Sequence, residues 1–164
     1  VKFKLLSYWG HGGGLQYFNL KKGCPLGWQN YKDEKCLKYF PNQKTWQEAS
    51  QSCKQISSKH SYLVSVPDAS TNQFILNAVA TPEQDKVGRV WTGGHQNSAG
   101  DWVWSDGVTW SFTDWIPGEP NNHGGDEDFL EIFTLNSETV EWRGKWNDHR
   151  NSHKAAYICQ IRFG

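Results

Sequence analysis

The sequence has no methionine, no net charge and no long apolar run, and each absence narrows the possible functions. Its 17 basic residues balance its 17 acidic residues, so we expect no basic surface for a phosphate backbone and no binding of nucleic acid. No stretch reaches the roughly 18 apolar residues of a spanning helix, which predicts no membrane span. Because the chain begins at Val1 with an apolar stretch too short for a signal peptide, we expect a mature, processed chain.

The cysteine pattern also lacks Cys-x-x-Cys, which disfavours a zinc site built on cysteines. An even number of cysteines suits an extracellular disulfide framework, although four allow three connectivities and free thiols are the alternative. Disulfides form in oxidising compartments, so we expect a secreted, extracellular protein. The four cysteines are Cys24, Cys36, Cys53 and Cys159.

The length of 164 residues predicts one folded domain, which we place at residues 24–164. Residues 1–23 differ from the rest, because "GHGGG" at 10–14 separates two short apolar, aromatic stretches. We interpret residues 1–23 as an N-terminal extension with one or two strands, or as an interaction arm through which copies of the chain form a homo-oligomer. A disordered tail is the alternative.

Two helices followed by short strands are predicted for the domain, which makes it α+β. Thr45 can cap a first helix, and a second helix fits residues 68–80. After Pro82 the sequence becomes rich in tryptophan and typical of strands, and the stretch 105–140 is mostly loop. Positions with helical spacing are predicted to face the core: Trp46, Ala49, Cys53 and Ile56 in the first helix, and Phe74, Ile75, Ala78 and Val79 in the second.

Oxygen-bearing side chains form two clusters on either side of a probable strand. They are Glu119, Asn121, Glu127, Asn147 and Asp148. Calcium takes six to eight oxygen ligands and tolerates irregular geometry, whereas copper and structural zinc favour softer ligands. The clusters therefore predict a calcium site. A solvated acidic loop is the alternative, but it accounts for neither the Glu-Pro-Asn order nor the second cluster.

The motif "WSDG…W…GEPNNHGGDED…GKWND…YIC" resembles the C-type lectin-like domain family over residues 24–164. The resemblance implies two helices, two small antiparallel sheets and a long loop that binds calcium and sugar. Glu119 and Asn121 would be calcium ligands on either side of a cis peptide before Pro120. Glu127 would be the third ligand, and Asn147 and Asp148 would complete one calcium site. The Glu-Pro-Asn triplet resembles the mannose-type sugar site, which implies glycans with terminal mannose-like sugars as partners.

The mixture of acids and amides has its own chemical reason. A sugar hydroxyl that gives one lone pair to calcium keeps one proton and one lone pair. A carboxylate accepts the proton and an amide donates to the lone pair. Glu119 with Asn121, and Glu127 with Asn147, provide two such sets. His123 stands where similar lectins touch the sugar, and an ordinary exposed histidine is the alternative.

Similar domains also suggest the disulfide pairing and show where this chain departs from the family. The short spacing of Cys24 and Cys36, and the connection between helix and last strand in similar domains, predict the pairs Cys24–Cys36 and Cys53–Cys159. The family's larger members carry a further bridge at positions that hold Phe129 and Asn151 here. An accessory calcium site needs acids in a loop that reads "GGHQNSAG" here, so we expect a single calcium ion.

Two other classes of function compete with a sugar-binding lectin. The first is a member of the same fold that binds protein, mineral or ice, and such activity should survive mutation of Asn121. The second is an enzyme, for which His149 and His153 beside Asp148 give only a weak zinc-like spacing. No Gly-x-Ser-x-Gly or phosphate-cradling loop is present, and we expect no enzymatic activity.

Overall fold

The structure is a computed structural model that describes residues 23–57, 60–83, 85–135 and 141–163. The predicted N-terminal extension, apart from Gly23, lies outside the described residues, and so do the strands expected in it. None of the described helices has the length and apolar character needed to cross a bilayer.

The described chain begins with a hairpin of β1 (Gln29–Tyr31) and β2 (Lys35–Lys44). The turn between them holds Lys32 and Asp33 at φ of 53° and 56°, and two successive left-handed residues match the right-handed twist of the paired strands. The left-handed turn therefore closes a β-hairpin. Cys24 lies just before β1 and is bridged to Cys36 in β2.

Helix α1 (Trp46–Ile56) begins where the sequence predicts. The Thr45 hydroxyl accepts a hydrogen bond from Glu48 N, and the Glu48 carboxylate accepts one from Thr45 N. This capping box satisfies two backbone donors of the first turn. The face that contains Trp46 and Cys53 is buried as expected, but Ile56, the last helical residue, is 40% exposed. The predicted apolar face therefore ends at Cys53.

The second predicted helix is built from two pieces. Helix α2 (Ala69–Phe74) is capped by Asp68, whose carboxylate accepts from Thr71 N. It continues into a π-helical turn, Ile75–Val79, in which Ala80 N donates to Ile75 O. Ile75 and Val79 are buried as predicted.

The other strands form one twisted sheet with the hairpin. They are β3 (Ser61–Leu63), β4 (Arg89–Gln96), β5 (Trp102–Trp104), β6 (Phe129–Phe133), β7 (Trp146–His149) and β8 (Ala155–Arg162). The strand order is β1-β2-β8-β4-β6-β7, with β3 paired to β8 and β5 to β4. All pairs are antiparallel except β4 and β8. The α+β class is confirmed, and the short parallel β4–β8 pair joins the two expected antiparallel groups into one mixed sheet.

Two features fix helix α1 and the long loop to this sheet. The Cys53–Cys159 bridge joins α1 to β8 across 106 residues, so both predicted pairs are present. Trp146, fully buried at the start of β7, is met edge-on by Phe112 and Trp115 at ring-centroid distances of 5.4 and 5.8 Å. Ile116 N also donates to Trp146 O (2.9 Å). The long loop is thereby held against β7 immediately before Asn147.

Candidate functional site

The first half of the site is built where the long loop meets β7. The Glu119–Pro120 peptide is cis, as the resemblance implies. Asn121 N donates to Glu119 Oε2 (3.0 Å) and to Asp148 Oδ1 (3.2 Å). The Asn121 amide also donates to Glu119 Oε1 at 2.9 Å. The fold therefore brings Glu119, Asn121 and Asp148 into direct contact, although Asp148 is 27 residues away from Asn121 in sequence.

Asn122 positions the second half of the site, and sequence reasoning did not assign it this role. Its backbone is left-handed, with φ and ψ of 47°, a conformation that asparagine tolerates better than most residues. Its N–H donates to Asp148 Oδ2 (2.8 Å), and its side-chain oxygen accepts from Glu127 N (3.0 Å). The Glu127 carboxylate in turn accepts from His123 N at 2.8 Å. An asparagine directly before His-Gly-Gly is the sequence signal for this turn.

Asn147 completes the predicted set from β7. The β6–β7 register places Asp148 opposite Leu130 and Asn147 opposite Glu131. The Asn147 amide donates to Asp148 O (2.7 Å) and to Glu131 Oε1 (3.3 Å). Both of its hydrogens are thus directed at the protein, and the predicted donation to a sugar hydroxyl requires this amide to turn outward.

The acidic groups of the site lie close together with little positive charge around them. Asp148 is fully buried and Glu127 is 7% exposed. Among the described residues, no lysine or arginine forms an ion pair with Glu119, Glu127 or Asp148. Burial raises the pKa of Glu119, and the adjoining Asp148 carboxyl raises it further. Clustered carboxylates without a cationic partner, accompanied by amide oxygens, fit a hard divalent cation such as calcium.

The basic side chains nearest to the acidic groups of the site are Arg150, His149 and His123. Arg150 pairs with Asp126 (3.8 Å) and donates to His123 O (3.5 Å). His149 Nδ1 lies 3.7 Å from Glu127 Oε1, but burial lowers the pKa of this histidine, while the charge of Glu131 opposes the shift. The backbone of His123 belongs to the loop, and its side chain is exposed.

The two positions that depart from the family's bridge make non-covalent contacts with helix α1. The Phe129 ring packs on Trp46 with centroids 4.6 Å apart. The Asn151 side chain accepts from Gln47 N (3.0 Å) in the first turn of α1. Both residues therefore contact α1.

The weak zinc-like grouping considered for an enzyme has a different third member. The Asp148 carboxylate accepts from the backbone of Asn121 and Asn122. Glu131 is the acid that lies beside His149 and His153. The three residues of this second cluster come from β6, from β7 and from the turn before β8, and their closeness is revealed only by the fold.

Comparisons with known proteins agree with the fold. The family model described as the lectin C-type domain matches residues 42–161. A perlucin-like protein of Mytilus galloprovincialis is 30% identical over 139 residues, which cover 83% of this chain and 81% of that protein. The crystal structure of the C-type lectin CEL-I from Cucumaria echinata superposes with a TM-score of 0.75 at 28% identity, covering 86% of this chain and 99% of that one.

A second similar structure shares the fold alone. It is a calcium-independent type II antifreeze protein, with a TM-score of 0.70 and 24% identity over 85% of this chain and 95% of that one. Function must therefore be argued from the residues of the site.

Proposed function

Because this chain belongs to the lectin C-type domain family, we propose that it is a calcium-dependent, non-enzymatic lectin of mannose-type specificity. One observation carries the proposal: the Glu119 and Asp148 carboxyls adjoin one another and the Asn121 amide. Glu119, Asn121, Glu127, Asn147 and Asp148 would hold one calcium ion. Bound there, calcium would supply coordination positions for two neighbouring sugar hydroxyls.

The side chains of the site would then orient the sugar. The Asn121 amide nitrogen and Glu119 Oε1 are 2.9 Å apart, so a donor and an acceptor stand side by side. A sugar hydroxyl that donates a hydrogen bond to Glu119 and accepts one from the Asn121 amide has a partner for both its proton and its lone pair. Glu127 and Asn147, once its amide has turned outward, would repeat this arrangement for the second hydroxyl. Two acid–amide pairs in fixed positions favour vicinal hydroxyls of one stereochemistry. The Glu-Pro-Asn order indicates that this stereochemistry is the one found in mannose-like sugars.

The cellular setting follows from the same features. The two disulfides suit an oxidising, extracellular environment. A single sugar that uses two hydroxyls should bind weakly, with a Kd of about a millimolar. Several sites presented together would raise the avidity, and residues 1–23 are the segment that we propose for such assembly.

A glycan array probed with and without calcium tests the proposal. We expect binding to mannose-terminated glycans in calcium and its loss in EDTA. Asn121→Asp should abolish this binding, whereas Asn42→Asp, the same change at an exposed position in β2, should leave it intact. Binding that survives both EDTA and Asn121→Asp would contradict the proposal and favour a protein, mineral or ice ligand. Calcium-dependent binding to galactose glycans alone would retain the lectin and overturn its mannose specificity.

A further inference from the structure

A second group of metal-ligating side chains lies beside the calcium-type site. Glu131 comes from β6, His149 from the end of β7 and His153 from the turn before β8. One potential ligand atom from each of the three lies within 4.8 Å of the others. This group contains two imidazoles and one carboxylate, whereas the calcium-type site is made of oxygen donors.

The two oxygens of the Glu131 carboxylate have different surroundings. Its Oε1 accepts from Arg89 Nη1 and from the Asn147 amide, both at 3.3 Å. Its Oε2 is fully buried and has no hydrogen-bond partner. A buried carboxylate oxygen without a partner is costly. This oxygen faces His153, whose Nε2 lies 3.4 Å away.

Two histidine rings close the other side of the group. The rings of His149 and His153 are stacked with centroids 4.0 Å apart and planes 5° from parallel. Trp91 packs edge-on against both rings, at 5.6 Å from His153 and 6.4 Å from His149. The two histidine side chains remain 22% and 27% exposed. Two positively charged rings would repel one another in this stack. An arrangement in which both imidazoles are charged and paired with Glu131 is therefore unfavourable.

We propose that Glu131 Oε2, His149 and His153 form a binding site for a divalent transition-metal ion of the zinc class, separate from the calcium-type site. Imidazole suits zinc, copper and nickel, whereas calcium prefers oxygen ligands. Zinc bonds of about 2.0 to 2.1 Å in a tetrahedron place neighbouring ligand atoms about 3.4 Å apart. The separation of His153 Nε2 and Glu131 Oε2 is already 3.4 Å. Three protein ligands leave a fourth position for water or an external ligand.

Binding requires a local rearrangement of the histidines. Parallel rings cannot direct their in-plane lone pairs at one ion, so the stack must open. His149 Nδ1 also accepts from Arg150 N (2.9 Å), which assigns the ring proton to Nε2. Ligation through Nδ1 breaks this hydrogen bond, and ligation through Nε2 displaces the proton. The partial exposure of both rings gives them room to turn.

Zinc titration of the full chain by calorimetry, in the presence of saturating calcium, tests the site. We expect one zinc ion per chain in addition to calcium. Since even outer-shell partners of a metal contribute about 10- to 100-fold to affinity, His153→Gln should weaken zinc at least that much. Glu131→Gln should do the same, while His60→Gln, which removes an exposed histidine elsewhere, should bind zinc like the unmodified chain. Calcium and sugar binding are not needed for these outcomes, so failure here leaves the proposed lectin function untouched.

Cobalt provides a second readout, which reports the coordination of the metal by absorption. Cobalt bound by the three side chains should give visible absorption bands that disappear in His153→Gln. This variant is preferred because His153 is partly exposed, so its replacement disturbs the fold less than replacement of buried Glu131. Absence of zinc binding to the unmodified chain, equal binding by His153→Gln, or displacement of zinc by calcium would overturn the proposal. Circular dichroism and thermal unfolding of each variant establish that it is folded before its binding is compared.

Discussion

Replacing Glu119 by glutamine should affect the protein in opposite directions with and without calcium. Burial and Asp148 raise the pKa of Glu119, which means that the fold disfavours its ionised form. The resulting destabilisation is present at neutral pH and is relieved as the pH falls through the raised pKa. A neutral side chain of the same shape removes it, and its amide can donate to Asp148. In EDTA at pH 7, Glu119→Gln should therefore unfold at the same temperature as the unmodified protein or slightly higher.

Calcium should reverse the order of stability. At a calcium concentration about 100 times its Kd, binding contributes about 2.7 kcal/mol. For a domain of this size about 1 kcal/mol moves the unfolding temperature by about 2 to 4 °C, so the unmodified protein should gain about 5 to 11 °C. Glu119→Gln removes one of three carboxylates. If its calcium Kd rises about 100-fold, the contribution at the same calcium concentration falls to about 0.4 kcal/mol and the gain to about 1 °C.

Differential scanning fluorimetry in EDTA and in calcium measures both effects. Asp126→Asn is the matched control, because it removes the same charge from the same loop at a side chain that is 57% exposed and paired with Arg150. This control should keep the full calcium-induced gain. A full gain in Glu119→Gln would show that Glu119 does not bind the ion. An equal loss in Asp126→Asn would show that calcium responds only to the overall charge of the loop.

Three further predictions concern specificity, pH and stability. The double change Glu119→Gln with Asn121→Asp keeps the charge but exchanges the hydrogen-bond acceptor and donor. The binding free energy for mannose should therefore fall by about 1 to 3 kcal/mol, and inhibition by free mannose should weaken about tenfold or more. An unmodified protein that already prefers galactose would refute this logic. Protons compete with calcium for the carboxylates, and the pKa of Glu119 is raised, so retention on a mannose column should fall as the pH drops toward the carboxyl range of about 4 to 5; unchanged retention at pH 4 would contradict it. Cys53→Ala with Cys159→Ala should lower the free energy of unfolding by about 5 kcal/mol, because this bridge closes a 106-residue loop. Removal of the Cys24–Cys36 bridge, which spans 12 residues, should lower it by about 3 kcal/mol. Equal losses in urea unfolding would refute the chain-entropy explanation.

Local signals in the sequence are sufficient for the helices and for much of the strand content. Thr45 and Glu48 have the spacing of a capping box, and the structure contains it. Periodicity also predicts that residues 68–80 are helical, but it does not predict the π-helical turn Ile75–Val79, because spacing of three and four residues fits both forms. The parallel β4–β8 pair joins segments more than 60 residues apart and carries no local signal.

The candidate site is predictable as a set of residues but not as a set of contacts. The Glu-Pro-Asn order and the acids after it identify the ligand types. The orientation of the Asn147 amide toward Glu131 depends on the β6–β7 register, which composition does not specify. The fold also brings Glu131 close to His149 and His153, so a histidine spacing that is weak in sequence gains a buried acid only in three dimensions.

The order of strands determines how the lectin can be displayed. The described chain enters beside β1, and near its other end Phe163 N donates to Glu34 O in the turn of the β1–β2 hairpin. Asp148 lies in β7, five strand spacings from β1 and three from β8, or about 24 Å and about 14 Å across the sheet at about 4.8 Å per strand. A support or a fused partner joined after Phe163 would thus meet the end of β8, three strands away from Asp148. Copies mounted side by side in this way would keep the site proposed for sugar at a distance from the support.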